Sequence, residues 1–381
     1  MTAAWLNAVG TATPPHDVHA PFVAYARTLL QSPREQTLFD RMAERSGIAH
    51  RYSVLQPGRL EAGEVDAEGF YRPGAFPGTA ARMQRYVQEA LPLALRAVGA
   101  LAPDESTTRS LLQGVTHLVV ASCTGFVAPG LDVQLQDALA LAPDVQRTMI
   151  GFMGCAAAVP ALRVAAHTVR AEPGARVLVV NLELCSLHLH ESHSLESLLS
   201  FLLFGDAASA AIVSAASQGA ELLDFRSMLL PQSRRLITWD IGDRGFEMQL
   251  SGLVPARIAQ ALAAECAAQT HEQLAHDQPA ASPGLLRGLA PAAVDLWAVH
   301  AGGRTVLDAV QKGLALDKAA LATSRGVLND IGNVSSVTVM CVLQRMLAAA
   351  VPGAAGSLGM AMAFGPGLSA ETLRFRIGAA T

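Results

Sequence analysis

The chain predicts a five-layered α/β fold made of two similar halves, and three observations carry that reading. Continuous apolar runs at 115–120, 176–181, 207–213 and 294–299 alternate with helical patterns, which argues for mainly parallel sheets covered on both faces. The two halves present their elements in the same order. They also share one spacing: Leu118 to Leu296 and Cys155 to Asn333 are both separated by 178 positions (296 − 118 and 333 − 155), as a duplicated strand-helix unit would give.

Taken in order, residues 6–12 read as a strand that stops at Pro14-Pro15, and 22–30 and 36–45 read as helices. Several glycines and prolines between 56 and 79 mark an irregular excursion. The strand at 115–120 then leads to Gly125 and a helix over 131–141. Gly154-Cys155 opens a small-residue helix from Ala156 to Arg170, and strands follow at 176–181 and 207–213. In the second half the strand at 294–299 leads to Gly302-Gly303 and a helix ending at Leu314. Gly332-Asn333 precedes a helix from Val334 to Ala350, with strands near 357–363 and 372–377. The halves are divided at 1–222 and 223–381, with Cys155 and Asn333 at equivalent helix starts facing a common centre.

Composition bounds the function. Of 381 residues, 51% are hydrophobic and 16% charged, and the mean hydropathy is +0.31. Such a chain needs a large core, an apolar cavity or a buried interface, yet no charge-free run is long enough to span a bilayer. A formal charge of -4 gives no electrostatic reason to expect nucleic acid. The first residues lack a basic segment followed by an apolar core, so no secretory signal is expected. Five scattered cysteines without paired metal-type spacing fit a reducing cytoplasm.

Cys155 is the candidate reactive atom, because a thiol at the positive end of a helix is stabilised as the thiolate, the better nucleophile. A free cysteine is also a common small core residue, so its partners decide. His300 follows the strand at 294–299 and precedes Ala301-Gly302-Gly303, at the sheet edge where parallel sheets gather ligands. Arg41 and Arg45 lie four apart and share a helical face; such a pair is usually solvated surface, but it also suits a phosphate-bearing ligand. His117 reads as structural. His188, His190 and His193 cluster near Glu191 without the other marks of a zinc site.

Five motifs taken together, Gly154-Cys155, 299–303 (VHAGG), 332–336 (GNVSS), 204–208 (FGDAA) and 364–368 (FGPGL), make the chain resemble the chalcone synthase-like type III polyketide synthases. The resemblance implies a thiolase-like five-layered fold, a homodimer, and Cys155, His300 and Asn333 as catalytic triad. It further implies Phe204 as aromatic gate, Cys123 and Thr124 as cavity lining, and the loop with Phe364, Gly365 and Pro366 as its shaper. Arg41 and Arg45 fall where the family keeps cations for coenzyme A phosphates. The chain departs from plant members at Ala301 and Ala156, and Leu38 stands in place of another coenzyme A cation. The run Ser122-Cys123-Thr124-Gly125-Phe126 and the small residues at 156–158 look more like bacterial members that make alkylresorcinols or alkylpyrones from long fatty acyl starters.

On that reading Cys155 accepts an acyl group from an acyl-CoA thioester, with His300 stabilising the thiolate as an ion pair. Malonyl-CoA then loses carbon dioxide, and an imidazole N–H with the Asn333 amide N–H supplies donors for the enolate oxygen. No cofactor beyond coenzyme A thioesters is required, and no Gly-x-Gly-x-x-Gly loop argues for a nucleotide. A β-ketoacyl synthase III-type single condensation, a Cys-His-Asn hydrolase and an inactive acyl-CoA-binding scaffold are the competing readings.

Overall fold

The computed structural model describes residues 2–274, 284–349 and 355–378, the side chains of 269–274 excepted. The first half runs β1 (Ala4–Ala12), β2 (His16–Asp17), α1 (His19–Leu29), α2 (Pro33–Arg45), β3 (Tyr52–Ser53), α3 (Thr79–Gly99), α4 (Glu105–Leu112) and β4 (His117–Ser122). It continues with α5 (Leu131–Ala138), β5 (Gln146–Gly151), α6 (Ala158–Ala171), β6 (Val177–Leu184), α7 (Leu195–Phe201) and β7 (Asp206–Ser214). The second half runs β8 (Ala220–Leu229), the hairpin β9 (Ile237–Gly242) and β10 (Gly245–Leu250), α8 (Val254–Leu274) and β11 (Leu296–Val299). It ends with α9 (Arg304–Gly313), α10 (Ala322–Ile331), α11 (Val337–Ala348), β12 (Leu358–Gly365) and β13 (Ser369–Ile377). The division expected at 222/223 falls inside β8, and Ala350, to which the sequence extended the last helix, lies outside the described residues.

The large sheet has nine strands in the order β11-β12-β13-β8-β1-β7-β6-β4-β5, and three residue pairs between β1 and β8 join the ladders of the two halves. Each half repeats one pattern: β4 beside β6 parallel, then β6–β7 and β7–β1 antiparallel; β11 beside β12 parallel, then β12–β13 and β13–β8 antiparallel. The expectation of mainly parallel sheets is therefore corrected. β4 and β6, like β11 and β12, are joined through a helix of the central layer and run parallel, but β12 and β13 are joined by the short turn 366–368 and must run back on each other.

Alternation along the strands builds the layers. In β6, Val177 and Val179 face the centre while Leu178, Val180 and Leu182 face α3; in β12, Ala361 and Ala363 face the centre while Met360 and Met362 face the outer core that holds the start of α8 and α9. The central layer is α6 and α11, whose small residues Ala158, Ala161, Ala165 and Ala166 are fully buried between the two halves. Alanine on both helix and sheet lets these layers approach closely, which is how two pseudo-equivalent turns come to share one site. Pro160 is the third residue of α6, where its missing N–H costs nothing.

Candidate active site

Gly154 and Gly332, 178 positions apart like their neighbours Cys155 and Asn333, both take positive φ, 56° and 70°, a backbone state that glycine adopts without steric cost. Each is followed by a buried helix of the central layer. His300 sits directly beyond β11, its N–H donated to Met362 O at 2.8 Å. A cavity of about 760 Å³ is lined by Cys155, His300 and Asn333 together. Phe204, Cys123, Thr124, Phe364, Gly365 and Pro366 also line it, as does Arg45. Arg41, exposed on the same helix, is not among the lining residues; the face of α2 turned to the cavity is Leu38, Met42 and Arg45.

The orientation of the Asn333 amide is set by its surroundings. Its Oδ1 accepts from Ser335 N–H at 2.9 Å, which directs the NH2 the other way, where Nδ2 donates to Gly302 O at 3.2 Å. One N–H is left for the cavity. The main chain of Asn333 is stitched to the segment carrying Phe204: Asn333 N–H donates to Leu203 O at 2.8 Å, and Gly205 N–H donates to Asn333 O at 3.0 Å. Phe204 and Asn333 thus form an isolated parallel bridge between the halves.

Burial shapes the electrostatics of the site. Cys155 keeps partial exposure where it lines the cavity, yet burial pushes its thiol up to about 11, against the opposing hydrogen bonds of Ser335 and Asn333 and with Glu183 adding to the rise. Burial pulls His300 down to about 4, and its Nδ1 has no hydrogen-bond partner among the described residues. Desolvation thus opposes both charged members of the expected thiolate–imidazolium pair.

Glu183, near the end of β6, went unnoticed in the sequence, and it organises the wall beside Cys155. Fully buried, it accepts from Cys123 N–H at 3.1 Å, Thr124 Oγ1 at 3.0 Å and Ser336 Oγ at 2.6 Å, while Cys123 Sγ lies 3.5 Å from Ser335 Oγ. A carboxylate inside an otherwise apolar strand was the available signal. Trp239 of β9 pins the same wall by donating Nε1–H to Cys123 O at 2.7 Å. His188, His190 and His193 bond to three separate carbonyls, those of Thr124, Phe246 and Leu29. The rest of the cavity is mostly apolar, with Glu196, Ser200, Ser251 and Thr305 among the polar exceptions, and comes largely from segments that carried no motif: α7 and its end (Leu199, Leu203), the hairpin (Ile237, Leu250) and the start of α8 (Val254, Ile258).

Residues 1–217 match the model of the N-terminal domain of chalcone and stilbene synthases, and residues 221–377 match that of their C-terminal domain. The chain is 32% identical to the alpha-pyrone synthesis polyketide synthase-like Pks18 of Mycobacterium tuberculosis over 99% of its own length and 92% of that protein's. It is 30% identical to type III polyketide synthase 10 of Oryza sativa subsp. japonica, over 98% of this chain and 92% of that one. Among solved structures it resembles the 1,3,6,8-tetrahydroxynaphthalene synthase of Streptomyces coelicolor, a bacterial type III polyketide synthase, with a TM-score of 0.80, 26% identity and coverage of 99% and 100%. The type III domain of Steely1 from Dictyostelium shares the fold at a TM-score of 0.83, 20% identity and coverage of 98% and 99%. The thiolase-like layering is thus that of a known enzyme class, and the chain belongs to the chalcone and stilbene synthase family: it is a type III polyketide synthase, a cysteine-dependent acyltransferase.

Proposed function

We propose that this enzyme condenses a long-chain fatty acyl-CoA starter with malonyl-CoA units on Cys155 and closes the product to an alkylpyrone. Members of the family use coenzyme A thioesters as substrates and need no other cofactor. The observation that carries the finer reading is the cavity, in which Cys155, His300 and Asn333 meet a wall of leucine, isoleucine, methionine and valine side chains. Its volume suits a sizeable ligand. A second pocket of about 90 Å³ shares Cys185, Phe201 and Phe204 with it and adds Phe22, Leu55 and Leu189, apolar room beyond the gate residue for a chain to enter. The pyrone-making relative named above supports the choice of ring.

The chemistry follows from a neutral pair. As Cys155 Sγ attacks the starter carbonyl, its proton passes to His300, a C–S bond forms, and coenzyme A leaves as a thiolate that takes the proton back. When malonyl-CoA is bound, the C–C bond to its carboxylate breaks, carbon dioxide departs and the electron pair moves onto the thioester oxygen. There the free N–H of Asn333 and the His300 imidazole N–H stabilise it. The enolate carbon then attacks the Cys155 thioester, forming a C–C bond and expelling the cysteine sulfur. The lengthened chain, now a coenzyme A thioester, returns to Cys155 with release of coenzyme A for each further round. At the end an enol oxygen attacks the terminal thioester carbonyl, expelling the thiolate, which takes the enol proton, and releasing the lactone. Arg45, at the cavity, and Arg41, on the same helix, meet coenzyme A phosphates.

Strand β5 supports assembly as a homodimer. One side pairs with β4, the other has no partner among the described strands, and Met149 is 42% exposed. A bare edge of this kind invites a second strand, and a two-fold copy supplies an identical one. Met149→Lys should then shift the sedimenting species from dimer to monomer. A cytoplasmic location agrees with the free thiols of Cys123, Cys155, Cys185 and Cys341, and no described helix is long and apolar enough to cross a membrane.

The deciding experiment is mass spectrometry of products from a panel of acyl-CoA starters with malonyl-CoA. Long saturated starters should outcompete acetyl-CoA and 4-coumaroyl-CoA and yield alkylpyrones. Equal or better turnover of 4-coumaroyl-CoA overturns the starter; an alkylresorcinol overturns the ring closure.

A further inference from the structure

Arg51 is 3% exposed and, among the described residues, has no carboxylate within ion-pair distance, an expensive placement for a cation. Burial draws it down to about 10, so it stays charged at neutral pH. Its bonds converge on one short segment. One terminal nitrogen donates to Phe204 O at 2.6 Å and to Phe201 O at 3.0 Å, and Nε donates to His19 Nδ1 at 3.0 Å. Phe201 ends α7, so its carbonyl belongs to the partly negative end of a helix, where a cation is favoured. The guanidinium lies 4.8 Å from the Phe22 ring centroid.

The stem of the same side chain braces the opposite half. A Cβ placed on Gly332 would stand 2.7 Å from Arg51 Cγ and 2.9 Å from Leu203 O, so the turn before Asn333 rests directly on Arg51 and on the segment Arg51 holds. That segment exchanges two backbone hydrogen bonds with Asn333. One buried cation therefore sits beneath both Phe204 and Asn333 without lining the cavity that holds Cys155, His300 and Asn333: it lines the smaller pocket on the far side of Phe204.

We propose that Arg51 is a positioning residue that sets the Asn333 donor and the Phe204 ring together, by clamping the Phe201 and Phe204 carbonyls while its stem supports Gly332. The inference rests on the reading that Asn333 stabilises the malonyl enolate. A lysine at 51 keeps the charge, but a single ammonium lacks the planar fork that serves two carbonyls and His19 at once. Loss of the clamp lets Asn333 drift, and a drift of about 1 Å in a catalytic group costs up to about a hundredfold.

The test is carbon dioxide release from malonyl-CoA by Arg51→Lys, His19→Leu and Asn333→Ala, with kcat expressed per folded chain, counted from the amplitude of the cooperative thermal unfolding transition so that misfolded chains are excluded. Arg51→Lys should lower kcat by about tenfold with KM for malonyl-CoA changed by less than about twofold. His19→Leu, which removes only the Nε acceptor, should lower it by about threefold in the same pattern. A purely structural arginine would lower the folded fraction and leave kcat per folded chain unchanged, and that result overturns the proposal. Should Arg51→Lys yield no folded protein, an unchanged kcat in His19→Leu overturns it instead. Full release by Asn333→Ala removes the underlying reading of the site, whereas loss in Asn333→Ala beside an unchanged Arg51→Lys removes Arg51 alone.

Discussion

The turn at Gly154-Cys155 and the turn at Gly332-Asn333 occupy matching places in the two halves, and each is braced by the other half. A Cβ on Gly154 would stand 2.5 Å from Pro366 Cδ, in the loop between β12 and β13; a Cβ on Gly332 would stand 2.7 Å from Arg51 Cγ, just before β3. The backbones are alike, yet the side chains have divided the labour: a thiol able to carry an acyl group in one, an amide with a spare N–H in the other. The position matching His300 at the same 178-residue spacing is Ser122, at the end of β4, whose hydroxyl accepts from Tyr86 OH at 2.9 Å. Duplication thus supplied two equivalent strand ends and two equivalent helix starts, and only one strand end took up an imidazole. The halves also differ at their margins. The first has the extra strand β5, while the second gives β11 the edge position and contributes the hairpin and α8 to the cavity wall.

The sharpest way to break this division is Cys155→Ala, which should abolish polyketide product while carbon dioxide release from malonyl-CoA persists. Product and release measured together would merge the two roles if they disappeared at once. Asn333→Ala should act in reverse, depressing release itself by about a hundredfold, on the order of 3 kcal/mol for one lost donor. The neutral pair predicts a pH signature. A thiol pushed up to about 11 exposes a thiolate fraction that grows with pH, so alkylation of Cys155 by iodoacetamide should climb about tenfold per unit from neutral pH towards 10. A plateau near pH 7 would show instead that His300 holds the thiolate in the free enzyme. The mildest effects are expected from Gly154→Ala and Gly332→Ala. Both force a side chain into positive φ against close neighbours, at roughly 1–3 kcal/mol each in thermal or denaturant unfolding. A neutral result at either glycine would break the symmetry of the bracing.

Much of this was legible in the residues, for a definite reason. Cys155, His300 and Asn333 stand next to glycines that the backbone needs at sharp turns, so chemistry and conformation left their mark in the same few positions. What escaped notice lacks such punctuation. Glu183 is one acid in an apolar strand, Arg51 one arginine ahead of a two-residue strand, and Trp239 one aromatic in a hairpin. Each acts through partners far along the chain, Glu183 on Cys123 and Ser336, Arg51 on His19 and Phe204. No local pattern marks a bond between positions 153 residues apart.

From sequence alone came the duplicated α/β order, the three polar residues and the apolar character of the chain, because periodicity, glycine placement and composition are local properties. The direction of the strands, the desolvation of the thiol and imidazole, and the cavity built by α7, the hairpin and α8 were decided only by tertiary structure. They depend on how tightly the central helices are packed and on how far water is excluded, and burial is a property of the whole fold rather than of any segment.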